Sequence, residues 1–92
     1  MAIDFLNDSR SYDPHRRSIS FWGHDAAFEI TFRLDQAVLE PFVHGHQDGH
    51  GQLDEASALT AFDENINRIR AFARNLYTRD KKNYFEISGV HI

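Results

Sequence analysis

The sequence contains no cysteine among its 92 residues. This absence excludes a disulfide framework, a thiolate nucleophile and any zinc site built on cysteine. No apolar run approaches the roughly 18 residues that a membrane-spanning helix needs, so we expect no membrane contact. The first ten residues lack the basic and apolar regions of a secretory signal, and we therefore expect a cytoplasmic protein.

Recognisable catalytic signatures are also missing. The sequence has no phosphate-binding glycine loop, no dinucleotide fingerprint and no His-Glu-x-x-His run. His24 and Asp25 could be read as an acid–base pair, but adjacent residues in a hairpin link rarely aim at one substrate. We therefore expect a protein that is not an enzyme and that uses no cofactor.

Apolar residues are sufficient for one small globular domain covering residues 1–92. They make up 41% of the chain, and eight of them are phenylalanine. The net charge of −4 argues against a general nucleic-acid binder. The basic residues Arg79, Lys81 and Lys82 keep open the alternative of a regulator that contacts nucleic acid, although a solvated helix end explains them equally.

Alternation of apolar and polar residues predicts several strands. The stretch FEITFRL, from Phe28 to Leu34, alternates clearly, and so does the preceding RSISFW. We therefore expect an antiparallel hairpin with a link at GHDA. Ile3 and Phe5 indicate an earlier strand in MAIDFL, and NYFEISGVHI indicates a last strand with a bulge at Gly89.

Two helices are predicted between the hairpin and the last strand. The stretch DQAVLEPF reads as a short helix that Asp35 caps and Pro41 ends. Residues 54–77 read as one long helix, because apolar side chains recur at helical spacing at Leu59, Phe62, Ile66, Ile69, Ala73 and Leu76. The order β-β-β-α-α-β predicts an α+β fold: a small antiparallel sheet of about four strands, with one long and one short helix packed on one face.

The apolar stripe of the long helix should face the apolar side of the sheet. We expect Phe62, Ile66 and Ile69 to pack there against a set of sheet residues that share one parity: Ile19, Phe21, Phe28, Ile30 and Phe32. Each set needs the other in order to leave water.

The C-terminal end of the same helix is a candidate interaction surface. Phe72 and Leu76 could extend beyond the short sheet, with Asn65 on the same flank. A second copy of the chain could cover this edge in a homodimer, or the short helix and the last strand could cover it within one chain. The amide of Asn65 needs partners, either inside the domain or in a second chain.

Trp22 is the second candidate for an interaction. By parity it lies on the polar face of the hairpin, beside Ser20 and Thr31. An exposed tryptophan there would suit binding to a protein partner, whose identity the sequence does not give. The alternative is that the N-terminal SRSYDP segment folds over it.

The stretch HGHQDGHG presents four candidate metal ligands: His44, His46, Asp48 and His50. In an extended chain, alternate residues lie about 6.6–6.8 Å apart, which is too far for four of them to meet one ion. The glycines permit the loop to curl, but no neighbouring helix or strand holds it. Two interpretations stay open: a metal-binding protein and a solvated polar loop.

Four segments of the chain resemble one family. F-x-N-x-S-R-S-Y-D, R-x-I-x-F-W-G-H-D, F-E-I-T-F and F-D-x-N-x-x-R-I together resemble the short bacterial proteins known as domain of unknown function 1488. The resemblance covers nearly the whole chain. It implies a compact α+β domain without assigned activity or catalytic residues. Together with the residues above, it favours a small non-enzymatic interaction domain.

The histidine-rich stretch gives a first prediction. We expect residues 44–51 to be an exposed connection, so replacing His44, His46 and His50 with serine should leave the thermal midpoint unchanged. Metal analysis of protein purified without a histidine tag should find less than one equivalent. One tightly bound equivalent of metal, or a large loss of stability in the variant, would contradict this.

Overall fold

The computed structural model describes residues 3–43 and 53–92. The strands are β1 (Arg10–Asp13), β2 (Ser18–Asp25), β3 (Phe28–Asp35) and β4 (Tyr84–Ile87). Between β3 and β4 lie a 3-10 helix (Gln36–Phe42) and two α-helices, α1 (Glu55–Glu64) and α2 (Ile66–Arg79). The predicted α+β class and the order of strands and helices are confirmed.

The sheet is mixed rather than purely antiparallel. Its strand order is β1-β2-β3-β4, and the first three strands are antiparallel. Strand β4 runs parallel to β3, with Tyr84 beside Thr31 and Ile87 beside Leu34. The helices carry the chain back to the end of the sheet where β3 begins, so the next strand must run in the same direction.

The first strand lies later in the chain than the alternation pattern predicted. Strand β1 forms within the stretch of polar turn formers, where Tyr12 pairs with Ile19 and Ser11 with Ser20. Tyr12 packs against the core from this strand, and native sheets commonly carry short or charged strands at their edges. The predicted MAIDFL strand is reduced to one bridge, in which the backbones of Asp4 and His24 exchange hydrogen bonds of 2.8 and 2.7 Å.

Gly23 permits the close approach of the N-terminal segment. A Cβ atom at this position would lie 2.6 Å from Cδ1 of Ile3 and 3.0 Å from Cε1 of Phe5.

The hairpin turn lies later in the chain than predicted. The predicted GHDA link is wrong in its position, because Gly23 to Asp25 belong to β2. The turn itself is Ala26–Ala27, and Ala26 adopts a φ of 55°.

The predicted long helix is two helices that meet at Asn65. The Nδ2 atom of Asn65 donates to the carbonyl oxygen of Ala61 at 2.8 Å, and the φ of Asn65 is −114°. A short amide side chain competes with the helix backbone in this way, which accounts for the break. The predicted short helix is a 3-10 helix, and Asp35 caps it by accepting from the N–H of Ala37.

A stack of phenylalanine rings forms the centre of the core. Phe32 stacks on Phe85 and on Phe21, with ring centroids 5.3 and 5.2 Å apart. Phe62 of α1 lies on Phe21 at 5.3 Å, and Phe5 contacts both Phe21 and Phe32 at 6.1 and 5.9 Å. The stack joins three strands, a helix and the N-terminal segment, and each such pair contributes about 0.5–1.5 kcal/mol beyond its buried area.

Two of the residues predicted for the core are not fully buried. Phe28 is 73% exposed, and Ile66 is only half-buried, whereas Phe62 and Ile69 are buried as expected. Asp25 pairs with Phe28 across the hairpin, at the end of the inner sheet face. There the hydroxyl of Tyr77 donates a hydrogen bond of 2.6 Å to Asp25. This bond and burial raise the pKa of Tyr77 above its ordinary value. The contact fastens α2 to the end of β2 where a packed Phe28 was expected.

The orientation of α2 about its own axis predicts that truncating two of its isoleucines will cost different amounts of unfolding free energy. Ile69 is fully buried and Ile66, three residues earlier on α2, is half-buried. Ile69→Ala should cost about 2–5 kcal/mol of unfolding free energy, and Ile66→Ala roughly 1 kcal/mol, because only part of that side chain leaves water. Urea denaturation measures both. Equal losses of unfolding free energy in the two variants would show that α2 is rotated about its axis relative to this arrangement.

Candidate functional site

The sheet has one face on the core and one face on which none of the described helices packs. We call the second the outer face. Within each strand, the residues of the outer face alternate with the residues that point into the core. Across the sheet, each outer-face residue stands beside an outer-face residue of the neighbouring strand. They are Asp4, Ser11, Asp13, Ser18, Ser20, Trp22, His24, Glu29, Thr31, Arg33, Asp35, Tyr84 and Glu86.

Trp22, Thr31 and Tyr84 form one row across the outer face. Trp22 pairs with Thr31, and Thr31 pairs with Tyr84. Adjacent strands are about 4.7–4.9 Å apart, so the two aromatic residues lie roughly 9–10 Å apart at the backbone, with a small side chain between them. Trp22 is half-buried and Tyr84 is 41% exposed.

The SRSYDP segment is not folded over Trp22. Residues 10–13 pair edge to edge with β2 instead of crossing the outer face. Of the two alternatives for SRSYDP, the folded-over arrangement is therefore wrong. An apolar side chain of the N-terminal segment, Leu6, is 81% exposed.

The outer face is strongly acidic. It carries five carboxylates, at Asp4, Asp13, Glu29, Asp35 and Glu86, and a single guanidinium, at Arg33. Its formal charge of −4, five negative against one positive, equals that of the whole chain. The acidic excess of this protein is therefore located on one side of the sheet.

Arg33 is held in place by its two neighbours on β4. Its Nη2 atom lies 2.7 Å from Oε2 of Glu86, and its Cζ atom lies 5.8 Å from the ring centre of Tyr84. The hydrogen bond to Glu86 is the main reason that the pKa of Arg33 is raised. The one cation of the outer face is therefore already paired.

His24 and Asp25 point to opposite sides of the sheet. His24 lies on the outer face, with Nε2 3.6 Å from Oε2 of Glu29. Asp25 lies on the core side, where it accepts the hydroxyl of Tyr77. Because successive strand residues alternate in direction, these two side chains cannot meet at one substrate.

The other predicted interaction residues lie on the helical side of the molecule. Phe72 and Leu76 are half-buried against the core, and the amide of Asn65 bonds within its own helix. The structure therefore does not bring them together with Trp22. The homodimer through this edge stays a prediction.

The four candidate metal ligands His44, His46, Asp48 and His50 lie outside the described residues. Within residues 3–43 and 53–92, no group of three or more histidine, cysteine or acidic side chains could hold a metal ion. The same part of the chain contains no helix that is long and apolar enough to cross a membrane.

Tyr84 and Glu86 were missed as site residues. Their alternation with Phe85 and Ile87 is visible in the sequence and marks them as facing away from the core. What the sequence did not indicate is which strand lies beside them. Only the parallel pairing with β3 puts Tyr84 in the row of Trp22 and puts Glu86 beside Arg33.

Comparison with known proteins identifies a family but no activity. A family described as protein of unknown function (DUF1488) matches residues 3–87, which is nearly the whole chain. No match was found among curated proteins or among solved structures. The matched range includes every strand and helix described above. The chain therefore belongs to the DUF1488 family, as its sequence motifs predicted.

Proposed function

We propose that this protein is a non-enzymatic interaction domain whose outer face binds a basic segment of a partner protein. The observation that carries the proposal is the row of Trp22, Thr31 and Tyr84 within a face of charge −4. The row supplies apolar contact, and the surrounding carboxylates supply charge.

A lysine or arginine side chain matches both features. Its aliphatic part covers aromatic surface while its charged end stays near water or a carboxylate. A cation over the face of a tryptophan contributes about 0.5–1 kcal/mol at an exposed site. Glu29 and Glu86 lie one row to either side of the central row. A segment with alternating cationic and apolar residues therefore fits this face best.

The charge of the outer face disfavours two other occupants. Nucleic acid binds through contacts between phosphates and cationic side chains, and the one guanidinium of this face is paired with Glu86. A second copy of the chain would place two faces of like charge against each other. We therefore propose a different protein as the partner.

Two substitutions of aromatic residues test this proposal. We expect a fluorescein-labelled decapeptide of alternating lysine and leucine to bind, and Trp22→Ala to weaken its binding at least about tenfold, as for an interface hot spot. Phe28→Ala is the matched control, because it removes an exposed aromatic ring from the other face. Fluorescence anisotropy gives the affinities, and thermal melts confirm that both variants fold.

Charge reversal gives an independent check in the same assay. Glu29→Lys should weaken binding more than Glu64→Lys, because Glu64 lies on α1. The difference should shrink at high salt as charges are screened. Equal effects of the two reversals, or binding of single-stranded DNA that also depends on Trp22, would refute the proposal.

A further inference from the structure

Helix α2 carries a local excess of positive charge. Its 14 residues include four arginines and no aspartate or glutamate. A solvated helix face ordinarily mixes both signs, and opposite charges four residues apart stabilise it. Arg70 and Arg74 are instead like charges at that spacing, an arrangement that destabilises an isolated helix. Helix stability alone therefore does not account for the charge of α2.

The net charge of −4 does not describe this side of the molecule. The outer face of the sheet carries a formal charge equal to that of the whole chain, so the other residues together have no net charge. Carboxylates close to α2 are neutralised by arginines: Nη2 of Arg70 lies 3.0 Å from Oδ1 of Asp8, and Arg10 donates to both oxygens of Asp63 at 2.8 Å. Glu64, which precedes α2, lies at its N-terminal end.

Three arginines of α2 are exposed and have no ion pair among the described residues: Arg68, Arg74 and Arg79. Cζ of Arg74 lies 5.2 Å from the ring centre of Phe5, and Nη1 of Arg68 donates a long hydrogen bond of 3.4 Å to the backbone oxygen of Ile92. A guanidinium has five N–H donors, so each of these arginines retains donors for an anion.

The three arginines lie on the two flanks of the solvent side of α2. At about 100° per residue, Arg68 and Arg79 lie roughly 20° apart around the helix axis, and Arg74 lies roughly 120° from Arg68. At a rise of about 1.5 Å per residue, Arg68 and Arg79 are roughly 16 Å apart along the axis. Between the flanks lie exposed side chains that are small or carry an amide: Asn67, Ala71, Asn75 and Thr78.

This arrangement fits the major groove of duplex DNA. The groove is about 12 Å wide and admits an α-helix, which then has a phosphate strand on either side. Arginines on both flanks of a helix can contact the two phosphate strands, and an asparagine between them can bind the edge of an adenine. The methyl group of Ala71 is small, so the helix backbone can approach the base pairs closely.

An acidic protein segment would match the charge of this surface but not its other side chains. Interfaces between proteins depend on buried aromatic and apolar anchors, and Ala71 is the one apolar residue on the exposed side of α2. Interfaces with DNA are more polar and more positively charged. Duplex RNA fits less well, because its major groove is too narrow for side chains to read.

We infer that the solvent side of α2 binds duplex DNA in the major groove, with Arg68, Arg74 and Arg79 on the phosphates. The inference goes beyond the proposed function, because α2 packs on the inner face of the sheet and its solvent side is turned away from the outer face. A basic protein segment on the outer face and DNA on α2 would then be held by one small domain.

The salt dependence of DNA binding tests this inference. Fluorescence anisotropy of a short fluorescein-labelled duplex should show affinity falling roughly 40-fold from about 50 to 200 mM salt, as expected for three phosphate contacts. Arg68→Gln, Arg74→Gln and Arg79→Gln should each reduce this fall to roughly 12-fold. Arg16→Gln is the matched control, because it removes an exposed arginine between β1 and β2 and should leave the fall unchanged.

A carboxylate in the middle of the surface provides a second test. Ala71→Glu should abolish binding of the duplex at low salt, whereas Thr60→Glu, at an exposed position of α1, should weaken it far less. Glutamate is a good helix former, so both variants should fold, and circular dichroism checks this. Trp22→Ala should leave DNA binding unchanged, which separates this surface from the proposed protein-binding face.

Several results would overturn the inference. One is that the duplex does not bind at low salt. Another is that Arg16→Gln reduces the salt dependence as much as Arg74→Gln does. A third is that a polyglutamate peptide, or duplex RNA, displaces the labelled DNA as well as unlabelled duplex DNA does.

Discussion

The stacking of Phe32 between Phe21 and Phe85 is the contact on which the rest of the structure depends. It joins the central hairpin to β4, and the parallel pairing of β3 with β4 aligns Phe32 with Phe85. Phe62 attaches α1 to the same stack, and Phe5 attaches the N-terminal segment. Because these contacts all lie on one side of the sheet, apolar burial is concentrated there, and the opposite side does not have to contribute to the core.

Because the outer face does not pack on the core, it can carry charged side chains. A sheet face that packed on a core could not hold five carboxylates, since burial of an unpaired charge is costly. Exposed to solvent, the five carboxylates cost little free energy, and they make the outer face acidic. The same constraint favours Trp22 and Tyr84 as binding residues, because partly exposed aromatic rings among charged side chains are not members of the core described here.

The sequence predicted the parts of the fold that depend on local patterns. Alternation identified the β2–β3 hairpin and the outward position of Trp22, and helical spacing identified Phe62 and Ile69. It failed where a long-range contact decides the outcome. Strand β1 forms from polar residues because β2 offers an edge, and Tyr84 joins the site because the helices return the chain in parallel. One failure is local: Asn65 interrupts the helix through a hydrogen bond to Ala61, four residues earlier, which a pattern of apolar spacing does not register.

The central claim is that the outer face, and not the helical side, contacts a basic partner. Photo-crosslinking tests it most directly, with a lysine–leucine decapeptide that carries a benzophenone and mass spectrometry of the linked protein. We predict crosslinks on β2, β3 and β4 at outer-face residues such as Trp22, Thr31 and Tyr84. Crosslinks confined to α2, between Ile66 and Arg79, would contradict the account.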